Sequence, residues 1–208
     1  MSQKILTGYH GTTKEKSESI LKQGFKISKS QEQKYEWLGD GIYFWDDIFY
    51  AVQWNIINME KNYNDKNEKN LMNYAIIKSK IIVNKSKLFD ISSPEGSIIY
   101  SKLKKKLEKK LIESGSEKLI EKLKKQSDKF WINILEDNGF FKEFDVIMAE
   151  FKNKKRNEKY KDDILLNVQK QICVKNQKCI ITSKLYRDKK RILDLFSIII
   201  SRRLVKNE

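Results

Sequence analysis

The stretch ILTGYHGTTKEK at residues 5–16 decides the fold, because it predicts a strand, a polar turn and a helix start in close succession. The apolar residues predict a strand over Ile5–His10, and Thr12 followed by Glu15 is the capping-box pattern that begins a helix. His10 is the only histidine of the chain, and a glycine follows it directly. A glycine lets a backbone approach a ligand closely, so this strand end is a candidate binding site.

A second stretch, WLGDGIYFWDD at residues 37–47, carries the other candidate side chain. Gly39-Asp40-Gly41 is typical of a turn, and Ile42–Trp45 is predicted to be the strand that leaves it. Asp46 is expected to cap the helix that follows. The turn is therefore followed directly by a strand in which Tyr43 lies beside other aromatic residues.

The remaining elements predict an α+β fold. Further strands are expected at Asn73–Val83, Phe144–Phe151, Val168–Val174 and Lys178–Ser183, and further helices at Ile98–Ile112, Glu117–Leu135 and Arg187–Arg203. Because strands and helices do not alternate regularly, α+β is favoured over a doubly wound parallel sheet. We expect a single domain, 1–208, with a lysine-rich helical insertion at about 97–140 and a basic C-terminal helix at about 187–204. A packing stripe is predicted along the insertion by Leu103, Leu107 and Leu111.

Composition restricts the classes of function. One histidine and two cysteines make neither a metal site nor a disulfide framework, so we expect no metal and a reducing, cytoplasmic location. The N-terminus has no apolar signal region, and the apolar run 193–200 is too short to cross a bilayer. We therefore expect no membrane association. No dinucleotide-binding G-x-G-x-x-G and no P-loop occurs.

The net charge of +15 lies mainly in the second half of the chain. Residues 101–130 hold 11 basic and 5 acidic side chains, and residues 151–208 hold 17 and 6. A near-neutral first half beside a cationic second half suggests a site joined to a surface for a polyanion. A biased base composition, which enriches lysine, asparagine and isoleucine everywhere, explains the charge equally well.

The two stretches together resemble the ADP-ribosyltransferase family, in its histidine–tyrosine branch of diphtheria-toxin-like and PARP-like enzymes. The resemblance rests on Tyr9-His10-Gly11-Thr12 and on Gly39-Asp40-Gly41-Ile42-Tyr43-Phe44, with Ala51 and Trp54 on the helix after Asp46. It spans residues 5–183, densely over the first 60 residues. It implies a split antiparallel β-sandwich that holds NAD as substrate, here with a helical insertion.

The resemblance also implies roles for individual residues. His10 would hydrogen-bond the adenosine ribose, Gly11 would clamp the nicotinamide carboxamide through its backbone with Thr12 beside it, and Tyr43 would stack on the nicotinamide ring. The third catalytic position would be Gln171, where the family often has an acidic residue.

A glutamine at that position favours mono-ADP-ribosylation over chain formation, because it cannot offer a full negative charge. Glu150 is the competing acidic candidate. A catalytically inactive protein that binds NAD or nucleic acid is an alternative, and an RNA phosphate-transferring relative ranks below both.

The expected acceptor is nucleic acid, RNA over DNA, with a protein acceptor as the alternative. Candidate contacts with the acceptor are Trp37, Trp45, Lys104, Lys105, Lys106, Arg202 and Arg203. The resemblance implies a small bacterial toxin or phage-defence effector, checked by a neutralising antitoxin.

Overall fold

The computed structural model describes residues 2–29, 37–62, 67–116, 118, 120, 121, 128–152 and 168–204. This part of the chain is α+β, which confirms the predicted class. It forms two compact units. The first comprises residues 1–4, 27–43 and 83–179, and the second comprises residues 5–26, 44–82 and 180–208.

Seven strands and six helices lie in the described residues. The strands are β1 (Gln3–Thr13), β2 (Ile42–Trp45), β3 (Tyr74–Asn84), β4 (Leu88–Asp90), β5 (Val146–Lys152), β6 (Val168–Val174) and β7 (Ile180–Leu185). The helices are α1 (Lys14–Gln23), α2 (Ile48–Asn62), α3 (Glu68–Leu71), α4 (Pro94–Glu113), α5 (Asp128–Asp137) and α6 (Lys189–Leu204). The sequence predicted one helix over Glu117–Leu135, part of which lies outside the described residues.

The strands of the first unit follow the order β4-β5-β6-β2, and β2 continues into the second unit. β5 and β6 pair antiparallel from Val146 opposite Val174 to Lys152 opposite Val168. β4 pairs with β5 in parallel, with Leu88 opposite Val146. The sheet is therefore mixed, whereas the expected sandwich was antiparallel. A parallel pair needs a long crossover connection, which the insertion between β4 and β5 supplies.

Helix α4 begins four residues before the predicted start at Ile98. Ser93 caps it, because the Ser93 hydroxyl accepts a hydrogen bond from the Gly96 amide at 3.0 Å, and Pro94 fits the first turn. Leu107 is fully buried, and Leu103 and Leu111 pack against the same core. The predicted leucine stripe is confirmed.

The core of the first unit lies between its strands and the helices α4 and α5. Its large buried side chains are Leu38, Phe89, Tyr100, Leu107, Trp131, Ile132, Leu135, Phe141 and Ile147. The turn that precedes β2 contributes Leu38, so the segment with the tyrosine motif is anchored in this core.

The strands of the second unit follow the order β2-β1-β3-β7. β1 pairs antiparallel with β2, with Tyr9 opposite Trp45. β1 extends to Thr13, whose hydroxyl accepts from the Lys16 amide at 3.3 Å. The helix cap is therefore Thr13 and not the predicted Thr12, because the strand runs three residues past His10.

Helix α2 covers the core of the second unit. Asp47 Oδ1 accepts the Phe49 amide at 2.7 Å where the helix begins, one residue after the predicted cap Asp46. The core residues come mainly from α2 and α6: Ile48, Ala51, Val52, Ile56, Met59, Leu195, Phe196 and Ile199.

Candidate functional site

His10 lies in an aromatic cluster of the second unit. Its ring centroid is 5.2 Å from that of Phe25 and 6.0 Å from that of Phe44, both in edge-to-face geometry. Phe25 and Phe44 are themselves 5.1 Å apart. Edge-to-face packing fixes the plane of the imidazole. The sequence motif therefore supplies both the histidine and one of the rings that orient it.

Gly11 is required by the packing of α2 on β1. A Cβ atom at this position would lie 2.6 Å from the Ala51 carbonyl oxygen and 2.7 Å from Asn55 Oδ1. The Asn55 amide nitrogen donates to the Ala75 carbonyl at 3.1 Å, so this buried side chain touches both β1 and β3. Thr12, the next residue, is buried.

Tyr43 closes the turn that precedes it in the first unit. Its hydroxyl donates to the Gly39 carbonyl at 2.5 Å and accepts from the Leu38 amide at 2.8 Å. Gly39 has a φ of +79°, a backbone conformation that residues with a side chain rarely adopt. The ring is partly buried and packs against the core of the first unit. Tyr43 is thus held by its hydroxyl and by the packing of its ring.

Sequence reasoning missed Glu136, which also holds this turn. Glu136 lies on α5, and its Oε2 accepts from the Asp40 amide at 2.7 Å. Its Oε1 forms an ion pair with Lys175, which follows β6. These contacts join residues far apart in the chain, and a single glutamate on a charged helix gives no signal of them.

The other side of the turn contacts β6. A Cβ atom at Gly41 would lie 2.3 Å from Cys173 Sγ. The same sulfur approaches the Asp40 carbonyl oxygen to 3.6 Å. The two glycines of the motif therefore fit against Glu136 on one side and Cys173 on the other.

Gln171 lies on β6, directly opposite Ala149 of β5. Its side chain is 4% exposed, and its Oε1 has no hydrogen-bond partner among the described residues. Side chains alternate along a strand, so Gln171 shares a sheet face with Cys173. Tyr43 packs against the core that includes Ala149 and Cys173. The first unit therefore brings two of the predicted site residues, Tyr43 and Gln171, to one face.

Glu150 lies on the opposite face of the sheet. It is directly opposite Lys170 on β6, and the two form an ion pair at 3.5 Å. Lys170 also pairs with Asp90 of β4 at 3.0 Å. The two candidates for the third catalytic position, Gln171 and Glu150, thus point in opposite directions from neighbouring strands.

The Asp90–Lys170 pair shifts the pKa of both partners. Burial alone would raise the pKa of Asp90, but hydrogen bonds from Ser92 and Lys170 outweigh it, so the pKa is lowered. Burial alone would lower the pKa of Lys170, but Asp90 and Glu150 outweigh it, so that pKa is raised. Both groups are charged at neutral pH.

The candidate acceptor contacts fall into different settings. Trp37 packs edge-on against Phe151 of the first unit, 4.6 Å between centroids. The ring centroid of Trp45 lies 5.9 Å from that of Tyr50 in the second unit.

The candidate lysine and arginine side chains also differ in their exposure and ion pairing. Lys104 forms an ion pair with Asp128 at 2.8 Å and lies over the Tyr100 and Trp131 rings. Lys105 is exposed, and Lys106 is exposed near the Phe140 ring. Arg202 and Arg203 belong to α6, and their side chains lie outside the described part of the structure.

Neither a metal-binding cluster nor a membrane-spanning helix occurs in the described residues. They contain no group of three or more His, Cys, Asp or Glu side chains placed to hold a metal ion. Among their helices, none has the length and apolar character needed to cross a membrane.

The fold and these residues define an α+β protein with a histidine–glycine pair inside its first strand and a tyrosine that follows a glycine-rich turn. The chain belongs to the same family as the uncharacterized protein MJ0359 of Methanocaldococcus jannaschii. The two are 33% identical over 223 aligned positions, which cover 95% of this chain and 94% of the relative. No family model matches the chain, and neither does any solved structure.

Proposed function

We propose that the protein is an NAD-dependent mono-ADP-ribosyltransferase with an ADP-ribosyltransferase-like fold, acting on nucleic acid and preferentially on RNA. One observation carries the proposal beyond the sequence motifs: the buried Gln171 Oε1 acceptor, on the face where Tyr43 packs, has no partner among the residues that the structure describes. A buried unpaired acceptor costs about 1–3 kcal/mol, so a ligand that donates a hydrogen bond to this oxygen would relieve that cost. The hydroxyls of the nicotinamide ribose are donors of this kind.

The reaction transfers a ribosyl carbon from one partner to another. The bond between C1′ of the ribose and the nicotinamide ring nitrogen breaks, and its electron pair stays on the nitrogen, so neutral nicotinamide leaves. A hydroxyl or amine of the acceptor attacks C1′, and the proton that it loses passes to water. The ribose passes through an oxocarbenium-like state, as in glycoside hydrolysis.

Each of the site residues would then have a separate role in binding NAD. His10 binds the adenosine ribose, and the backbone of Gly11, with Thr12 beside it, holds the carboxamide. The Tyr43 ring stacks on nicotinamide, and its tethered hydroxyl keeps the ring in one place. Gln171 hydrogen-bonds the ribose whose C1′ reacts. A ligand held in a fixed orientation reacts faster because the entropy of alignment is already lost.

The neutral Gln171 favours transfer of a single ADP-ribose. In the ADP-ribosyltransferase family, the enzymes that build chains of ADP-ribose normally have a glutamate at the third catalytic position. Glu150 faces away from Gln171 and is paired with Lys170. It is therefore poorly placed to substitute for a catalytic glutamate.

Variants on β5 and β6 test the catalytic assignment. NAD labelled in its adenylate part is incubated with the protein and total cell extract, and transfer is measured. Gln171→Ala is expected to lower transfer about 10²-fold, as loss of a contact to the reacting group commonly does. Glu150→Gln is the matched control on the neighbouring strand and should retain transfer. An inactive Glu150→Gln beside an active Gln171→Ala would overturn the assignment.

The nucleic-acid acceptor rests on the cationic second half of the chain. Digestion of the labelled extract separates the alternatives: label removed by nuclease lies on nucleic acid, and label removed only by protease lies on protein. The latter result would refute the RNA acceptor and leave the transferase assignment intact. We also propose that the protein acts in the cytoplasm as a toxin or defence effector under the control of an antitoxin.

An inactive NAD-binding protein is the second candidate, and the neutral Gln171 is the observation that favours it. NAD would then raise the melting temperature of the protein without release of nicotinamide. The two candidates are separated by measuring both quantities on one preparation.

A further inference from the structure

A carboxylate of the helical insertion between β4 and β5 is hydrogen-bonded to the Gly39–Gly41 turn, which precedes Tyr43. Glu136 of α5 accepts the Asp40 amide at 2.7 Å through Oε2, and Lys175 binds its other oxygen. A Cβ atom at Gly39 would lie only 1.8 Å from Glu136 Oε2. The carboxylate therefore lies directly against the turn, and the turn has a glycine where the carboxylate meets it.

The carboxylate itself is rigidly held. The side chains of Glu136 and Lys175 are 24% and 14% exposed, so their ion pair is largely shielded from water. A charged acceptor forms a stronger hydrogen bond to a backbone amide than a neutral one does. Asp40 also pairs with Lys29 at 2.9 Å, but there the lysine side chain is 63% exposed, so this contact is the weaker restraint.

The apolar packing of α5 comes from residues other than Glu136. The helix buries Trp131, Ile132 and Leu135 in the core of the first unit. Glu136 is bonded to the turn before Tyr43 and is therefore well placed to set the geometry of that turn. Tyr43 bonds the same turn from within, through Gly39 and Leu38.

We propose that Glu136 is a positioning residue that fixes the Gly39–Gly41 turn, and with it the Tyr43 ring, for NAD. The inference rests on the proposed function for its effect on turnover, but the restraint on the turn can be measured without any activity. It gives the helical insertion a role in the site. Lys175 supports the same carboxylate from the end of β6.

The test compares three variants of the full chain. Glu136→Leu removes the acceptor, and Glu136→Gln keeps an oxygen that can accept from Asp40. Asp128→Ala is the matched control, because it removes a carboxylate of α5 that binds Lys104 and Tyr100 and not the turn. Hydrogen exchange of the Asp40 amide, the melting temperature, and kcat and KM for NAD and for acceptor are measured.

Glu136→Leu should speed exchange of the Asp40 amide and lower kcat/KM for NAD about 10- to 100-fold, since a small misplacement of a positioning group costs that much. KM for the acceptor should not change. Glu136→Gln should restore much of the loss, and Asp128→Ala should keep both the exchange and the kinetics of the wild type.

Three outcomes overturn the inference. One is an Asp40 amide that stays protected in Glu136→Leu, and another is faster exchange with an unchanged kcat/KM for NAD. A loss of kcat/KM that only follows a lowered melting temperature, equally in Asp128→Ala, also overturns it. A wild-type protein that does not consume NAD refutes the proposed function instead, and the exchange data then decide whether Glu136 holds the turn.

Discussion

The packing of the Gly39–Gly41 turn against β6 can be tested by substitution of Gly41. A Cβ atom at this position would lie 2.3 Å from Cys173 Sγ, with the Val174 carbonyl oxygen next at 3.1 Å. Cys173 is fully buried, so its sulfur has no free space to enter. We therefore expect Gly41→Ala to overpack the first unit and Cys173→Ala to relieve most of that overpacking.

The magnitudes follow from the size of the clash. Overpacking of this kind costs roughly 1–3 kcal/mol in the free energy of unfolding. At about 2–4 °C per kcal/mol for a chain of this size, Gly41→Ala should lower the melting temperature by roughly 2–12 °C. Removal of Sγ leaves Val174 as the nearest contact, so the double variant should be more stable than the sum of the two single changes, by about 1 kcal/mol or more.

Thermal and denaturant unfolding of the two single variants and the double variant give the coupling energy. Gly115→Ala is the control: Gly115 has a φ of +69° but no atom within 4 Å of a Cβ atom there. Its cost should be conformational and should not couple to Cys173. Additive effects of Gly41→Ala and Cys173→Ala would refute the packing described here.

Three further predictions address the rest of the structure. Tyr43→Phe keeps the ring but removes the hydroxyl bonds to the turn, so it should lower stability by about 1–3 kcal/mol and slow transfer, measured by unfolding and by label transfer. The lowered pKa of Asp90 means that its pairing with Lys170 stabilises the protein at neutral pH and ceases to do so as pH falls through the folded-state pKa. Lys170→Met should therefore be less stable than wild type at pH 7, and the difference in unfolding free energy should disappear in acid; a difference independent of pH would contradict this. Lys105→Gln should weaken RNA binding in a salt-dependent way, whereas Lys104→Gln should mainly lower the melting temperature, because Lys104 is already paired with Asp128. Equal effects of the two lysine changes on RNA affinity would argue against this distinction.

Local patterns in the sequence predicted much of the fold. The strand after Gly39-Asp40-Gly41 and the leucine stripe of α4 were both predicted, because each depends on neighbours a few residues apart. The cap of α1 was misplaced by one residue, since Thr12 and Thr13 are both good caps and the length of β1 decides between them.

Long-range contacts could not be predicted in the same way. The parallel pairing of β4 with β5 joins segments separated by the whole insertion. The bond from the Asp40 amide to Glu136 spans a still longer stretch of the chain, and nothing near Glu136 in the sequence distinguishes it from other acidic residues. The sequence placed Gln171 on a late strand, but the burial of its oxygen without a partner among the described residues follows from tertiary packing alone.

The central claim is that this chain transfers ADP-ribose from NAD, and a doubly labelled NAD tests it most directly. One label lies in nicotinamide and the other in the adenylate, and the purified protein is incubated with this NAD and total RNA. We expect one free nicotinamide for each ADP-ribose attached to RNA, and loss of both signals in His10→Ala and Tyr43→Ala proteins that remain folded under the assay conditions. Intact NAD after incubation with RNA and with whole-cell extract, or near-wild-type turnover in both variants, would contradict it.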